Sequence, residues 1–210
     1  MVKQNTYHNL FKSLLPIIIG MVLSVSFNYT SAQSYNFQFF NVQEGLPQST
    51  VNTIFQDSRG FLWIGTAGGG ICKFDGENFT PYFSKNGIAG DIVTDITEDK
   101  NQNIWFTASW GGVTKFDGRK FTVFNKDKTN SLVDGNNLIF CDAKGRIWIA
   151  ENNNVKIYKN GVFNDIHQSL QQKIKGAVTK IIEDSKNNLW ITTAAGIIFI
   201  NETDTLEITT

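Results

Sequence analysis

Asp57-Ser58-Arg59-Gly60-Phe61-Leu62-Trp63-Ile64-Gly65-Thr66 has the form of a strand end, a tight turn and a second strand. It returns three times: Asp99-Lys100-Asn101-Gln102-Asn103-Ile104-Trp105-Phe106-Thr107, Asp142-Ala143-Lys144-Gly145-Arg146-Ile147-Trp148-Ile149-Ala150, and Asp184-Ser185-Lys186-Asn187-Asn188-Leu189-Trp190-Ile191-Thr192. In each copy the aspartate stands six positions before the tryptophan, and successive tryptophans are 42, 43 and 42 residues apart. Four of the five tryptophans fall in this one slot, so the chain is a repeat protein with a period near 42.

Working outward, the strand before the turn is Val51 to Asp57, echoed by Val93 to Asp99, Asn136 to Asp142 and Val178 to Asp184. Alternation puts Ile54, Ile96, Ile139 and Ile181 at one equivalent position, expected to be buried. The turn opens on an aspartate whose carboxylate can accept backbone N–H groups two residues on. Three residues past it come Gly60, Gln102, Gly145 and Asn187, a slot read as left-handed, with Gln102 the costly exception. The tryptophan strand is expected to cement neighbouring sheets face to face. A third strand follows (Gly70 to Phe74, Gly112 to Phe116, Asn154 to Tyr158, Gly196 to Ile200), then the hairpin signals Asp75-Gly76, Asp117-Gly118 and Asn160-Gly161. Phe79, Phe121 and Phe163 open the outer strand. The expected fold is all-β, a β-propeller of four-stranded blades spanning roughly 43–84, 85–127, 128–169 and 170–210. A stray outer strand over 35–42 would staple a closed ring by completing its last blade, although no last blade lacking its outer strand is visible in the sequence.

Nineteen basic residues balance nineteen acidic ones without blocks of either sign, so bulk electrostatics predicts no nucleic-acid partner. Cys72 and Cys141 fall two repeats apart, a separation that favours small strand fillers over a disulfide. Residues 1–32 read as a secretory signal peptide. Lys3 and Lys12 precede the apolar run Leu14 to Phe27, and Thr30-Ser31-Ala32 supplies the small residues before a cut at Gln33. That run is shorter than the roughly 20 residues of a spanning helix; an uncleaved anchor is the alternative. The expected location is therefore outside the cytoplasm, in the periplasm or cell envelope.

The pattern of Gly45-Leu46-Pro47, Val51 to Thr66 and Gly70 to Gly76 resembles the two-component regulator propeller repeat, and the resemblance runs from about Gly45 to Ile200. It implies the extracytoplasmic ligand-sensing region of a bacterial sensor kinase, many of which sense breakdown products of polysaccharides. It also implies seven-bladed propellers followed by a β-sandwich, a membrane helix and a kinase. Four blades are read here, so the expectation is a sensor segment truncated before its kinase, and any membrane contact comes only through those C-terminal parts or an uncleaved signal. Further blades or a homo-oligomer would cover the open sheets.

Chemistry is sparse in the mature sequence. His167 stands alone and reads as a solvated loop residue, and no cluster has metal spacing. No catalytic residue, cofactor or metal is expected. Asp57, Asp99, Asp142 and Asp184 recur with the turn, as Trp63, Trp105, Trp148 and Trp190 recur with the strand, and are read as structural. An Mg²⁺-dependent propeller lyase would need His167 beside two acids. For binding, the loops before the first strand and between second and third strands share one face. There Trp110 breaks the repeat and could stack on a sugar ring or plug a gap between blades. Gln48, Asp91, Asn136, Asn152 and Asn153 are candidate hydrogen-bonding groups for an oligosaccharide or other small ligand. A stand-alone carbohydrate-binding or protein-interaction module is the alternative to a sensor.

Overall fold

A computed structural model of the protein describes residues 12, 14–16, 37–124 and 137–201. Residues 12 and 14–16 are helical; the rest of the expected signal peptide, Asn136 and the tail beyond Asn201 lie outside the described residues. The sheets all belong to one compact unit, residues 40–210.

Each repeat folds into an antiparallel sheet whose strands pair in chain order. Blade one is β1 (Val51–Gln56), β2 (Leu62–Thr66), β3 (Ile71–Phe74) and β4 (Phe79–Tyr82). Blade two is β5 (Val93–Glu98), β6 (Ile104–Ala108), β7 (Gly112–Phe116) and β8 (Phe121–Phe124). Blade three is β9 (Leu138–Cys141), β10 (Ile147–Glu151), β11 (Asn154–Lys159) and β12 (Val162–Asp165). Blade four has β13 (Val178–Glu183), β14 (Leu189–Thr193) and β15 (Gly196–Ile200). The first strands β1, β5, β9 and β13 neighbour one another in order and form the inner wall.

The repeat explains the packing. Trp63, Trp105 and Trp148 are fully buried between successive sheets. An aromatic at the end of the first two outer strands reaches onto the next blade: Tyr82 lies 6.0 Å from Phe116 and 5.2 Å from Phe121, and Phe124 lies 5.3 Å from Tyr158 and 5.9 Å from Phe163. At the third junction Ile166 and Ile200 take these places. Bulges in β1, β5 and β13 fall at the same repeat position. There Asn52 Nδ2 donates to the Val93 carbonyl and Thr94 Oγ1 to that of Asn137, each at 2.9 Å, tying a first strand to the following blade.

Several expectations change. Phe37 to Asn41 is not a strand, because no third strand precedes it in the array to supply a ladder. Phe40 nevertheless sits as an outer-strand aromatic would, 5.4 Å from Phe74 and 5.5 Å from Phe79. The 3-10 turn Val42–Glu44 that follows matches Ser84–Asn86, and both close on a left-handed glycine, Gly45 and Gly87. Blade four shows three strands among the described residues, and the place of its outer strand lies beyond Asn201, outside them. Ile54 is exposed while Ile96, Ile139 and Ile181 are buried, since the latter three pack against a preceding blade and no blade precedes Ile54 among the described residues. The Asp75 and Asp117 turns are four-residue loops; only Asn160-Gly161 forms the two-residue hairpin, with φ of +55° and +88°.

Candidate functional site

The turn that defines the repeat is a hydrogen-bonded unit. Asp57 Oδ1 accepts from the N–H groups of Arg59 and Phe61, both at 3.0 Å, while Oδ2 accepts from Trp63 Nε1 at 2.9 Å. The indole bond recurs from Trp105 to Asp99 and from Trp148 to Asp142 at 2.8 Å, and from Trp190 to Asp184 at 3.0 Å. The six-residue spacing thus joins the two residues directly, a link that the pattern contained but that strand and turn rules do not supply. Burial alone would push the Asp57 carboxyl up; the bonds from Trp63, Phe61 and Arg59 outweigh it and hold the group below the usual carboxylate range. Asp99 is lowered in the same balance by Trp105 and Asn103. These carboxylates have their lone pairs filled by their own turn and are unavailable to a ligand.

The loops at one end of the sheets interlock. Ala67 N–H donates to Thr50 O, and Gly68 and Gly70 N–H donate to Asp91 O. Ser109 N–H donates to Ile92 O, and Val178 N–H to Asn152 O. Gln48, Asp91, Trp110, Asn152 and Asn153 all lie on this loop face. Asp91 is committed to its own fold, its carboxylate taking the Ser84 N–H at 2.6 Å and Ser84 Oγ at 3.0 Å. Gln48 is half-buried over Gly69, where a Cβ would come within 2.7 Å of its own Cβ. Asn152 and Asn153 are exposed and form the two-residue β10–β11 turn; the Asn153 carbonyl receives Gln171 Nε2 at 2.6 Å.

Trp110 differs from all of them. Its side chain is 74% exposed and its backbone is left-handed, φ +65°. It plugs no gap between blades. Next to it the chain is tightly packed: a Cβ on Gly111 would lie 2.2 Å from the Ala89 carbonyl oxygen, so the backbone there is wedged against the loop leading into blade two. A bulky residue held left-handed costs free energy and survives only where its surroundings dictate it.

Along the inner wall a cavity of about 410 Å³ is lined by Phe55, Asp95, Thr97, Leu138, Phe140 and Lys180, among others. Desolvation pushes the Asp95 carboxyl above its ordinary value, against the N–H groups of Ile139 and Ile96 that it accepts at 3.0 Å. Asp95 thereby joins blade two to blade three. Cys141 also lines this space; burial pushes its thiol up to about 11 and that of Cys72 to about 12, and both are free thiols. Sequence reasoning missed the cavity because it arises only where first strands of separate repeats come side by side. His167 is half-buried and caps the helix Gln168–Gln171, its Nδ1 accepting the Ser169 N–H at 3.3 Å. Among the described residues no group of three His, Cys, Asp or Glu side chains could hold a metal ion, and no helix is long and apolar enough to cross a membrane.

The family model described as two component regulator propeller matches residues 45–68, the loop into blade one and its first two strands. No curated protein matches the chain. Among solved structures, the extracellular domain of the hybrid two component system BT3049 from B. thetaiotaomicron is similar over 82% of this chain and 24% of its own, with a TM-score of 0.68 and 19% identity. The extracellular domain of the hybrid system BT4673 from the same organism is similar over 83% of this chain and 24% of its own, with a TM-score of 0.65 and 20% identity. Virginiamycin B lyase from Staphylococcus aureus is similar over 76% of this chain and 58% of its own, with a TM-score of 0.56 and 17% identity. This chain spans about a quarter of the length of these two extracellular domains. At such identities the likeness carries the fold. The resemblance drawn from the repeat is borne out by these matches, and the architecture is an all-β arc of propeller blades.

Proposed function

We propose that the chain is the ligand-sensing propeller segment of a periplasmic two-component signal-transduction sensor, and that glycan-derived ligands bind its loop face. In this reading it is one part of a sensor whose kinase lies outside these 210 residues. The sensor class is supported by the likeness to extracellular domains of hybrid two component systems and by the signal-like N-terminus. The observation that carries the ligand is Trp110, an exposed indole in a left-handed conformation beside Gly111. A flat apolar ring presented to solvent suits stacking on the C–H face of a sugar, and the exposed amide side chains of Asn152 and Asn153 on the same loop face suit its hydroxyl groups.

The test is a calorimetric titration of an oligosaccharide panel into the parent and into Trp110→Gly. Glycine accepts φ +65° without penalty, so the variant is expected to melt at or above the parent temperature. Binding of the best glycan should weaken by about tenfold or more, a loss of about 1.4 kcal/mol. If no glycan binds the parent, or if the variant binds equally well, the loop-face reading is wrong.

A further inference from the structure

The inner wall breaks its own repeat where the cavity opens. From β5, Asp95 and Thr97 reach the edge of β9: Asp95 Oδ2 accepts the Ile139 N–H at 3.0 Å and Thr97 Oγ1 the Cys141 N–H at 3.2 Å. One blade on, the same two slots hold Leu138 and Phe140, whose side chains have no acceptor. Strand β13 keeps the register of β9, with Ile181 opposite Ile191 as Ile139 is opposite Ile149. Alternate residues of such a ladder turn their N–H away from the partner strand. The Ile181 N–H therefore points away from β14, as the Ile139 N–H points away from β10, and in this junction Leu138 stands where Asp95 stood.

The substitutions put opposite charges on one apolar wall. Asp95 and Lys180 fill the same slot two blades apart, with Leu138 in that slot between them. All three line the cavity, together with Phe55, Phe140 and Ile182. No ion pair joins the two charges among the described residues. Asp95 accepts one N–H on each oxygen, from Ile96 and Ile139. A carboxylate has about four such sites, so both oxygens keep room for an ammonium. Desolvation, which raises the Asp95 carboxyl, is the cost that a close cation would offset. Glu98, the other acid on this wall, is committed to the Ser58 N–H and Oγ. A volume of about 410 Å³ suits a small molecule.

We propose that the cavity binds a zwitterion with an apolar side chain, a free amino acid or a short peptide. Its ammonium meets Asp95, its carboxylate meets Lys180 and the Ile181 N–H, and its side chain lies against Leu138, Phe140 and Ile182. A plain anion would be repelled by Asp95 and a plain cation by Lys180; a ligand carrying both charges complements both. The site is built by β5, β9 and β13 and does not depend on what adjoins blades one and four. It is separate from the loop face and independent of the glycan reading.

Calorimetric titration of the full chain with leucine, phenylalanine and leucyl-leucine tests it, beside N-acetyl-leucine and leucine amide, each of which lacks one charge. At least one zwitterion is expected to bind, with both capped forms weaker by about tenfold or more. The tighter of leucine and leucyl-leucine tells the free amino acid from the peptide. Lys180→Gln should weaken leucine by about tenfold and leave the weaker binding of leucine amide unchanged. Asp95→Asn should weaken leucine and spare N-acetyl-leucine; because Asp95 also joins two blades, Lys180→Gln decides alone if that variant fails to fold. Trp110→Gly should bind as the parent does. Absence of binding by every zwitterion at millimolar concentration overturns the inference. So do capped forms that bind as well as leucine, or a Lys180→Gln variant with the parent affinity. Loss of binding in Trp110→Gly also overturns it, since that result places the ligand on the loop face.

Discussion

Asp57 shows how one carboxylate unites a turn with a core. Its two oxygens serve the Arg59 and Phe61 amides and the Trp63 indole, so the turn cannot open without stranding the N–H of a buried ring. Asp57→Ala is expected to cost about 2–3 kcal/mol at neutral pH, because buried donors lose a charged acceptor. The urea unfolding midpoint measures it. The folded carboxyl titrates below its ordinary value of 3.8. Its contribution is therefore present above that value and is lost as pH falls through the lower folded value. The gap between parent and variant should accordingly narrow below pH 3.8, and an undiminished gap at about pH 2 would refute the role given to ionisation. The Asp–Trp pairing was written in the spacing of the repeat. The committed state of Asp91 was not, because its partner Ser84 belongs to a turn that only the folded chain brings back to it.

At the scale of the element, the turn after each first strand keeps one backbone shape across four different sequences. Gly60, Gln102, Gly145 and Asn187 have φ of +91°, +61°, +81° and +62°, as the sequence predicts. Glycine and asparagine tolerate this region, and glutamine has no such excuse. Gln102→Gly should therefore stabilise the protein by about 1 kcal/mol, seen as a raised unfolding midpoint; an unchanged or lowered one would mean that the Gln102 side chain contributes an offsetting contact. The strands were legible for the same reason as this turn, since alternation and turn chemistry are local. The helix Gln168–Gln171 was not. It stands in the repeat position of the 3-10 turns Val42–Glu44 and Ser84–Asn86, and it is held by Leu170 and Ile174 packing into the third junction.

At the scale of the whole molecule, stability in a repeat array is a sum over junctions, and a blade with one covered face has half the support of a blade with two. Among the described residues, blades two and three have neighbours on both sides, and blades one and four have one each. Amide hydrogen exchange should thus be slowest in β6 and β10 and faster in β1 and β15. Uniform protection across these strands would contradict the graded array.

The sequence by itself determined the repeat, its period, the order of strands within a blade and the left-handed turn, because each depends on contacts made within about forty residues. Tertiary structure alone decided that Ile54 is exposed while its three counterparts are buried, and that Trp110 stands in solvent rather than between blades. It also decided that a cavity opens along the first strands. These are properties of which face meets which neighbour. A repeat that writes the same residue into every blade cannot record whether that blade has a neighbour to cover it.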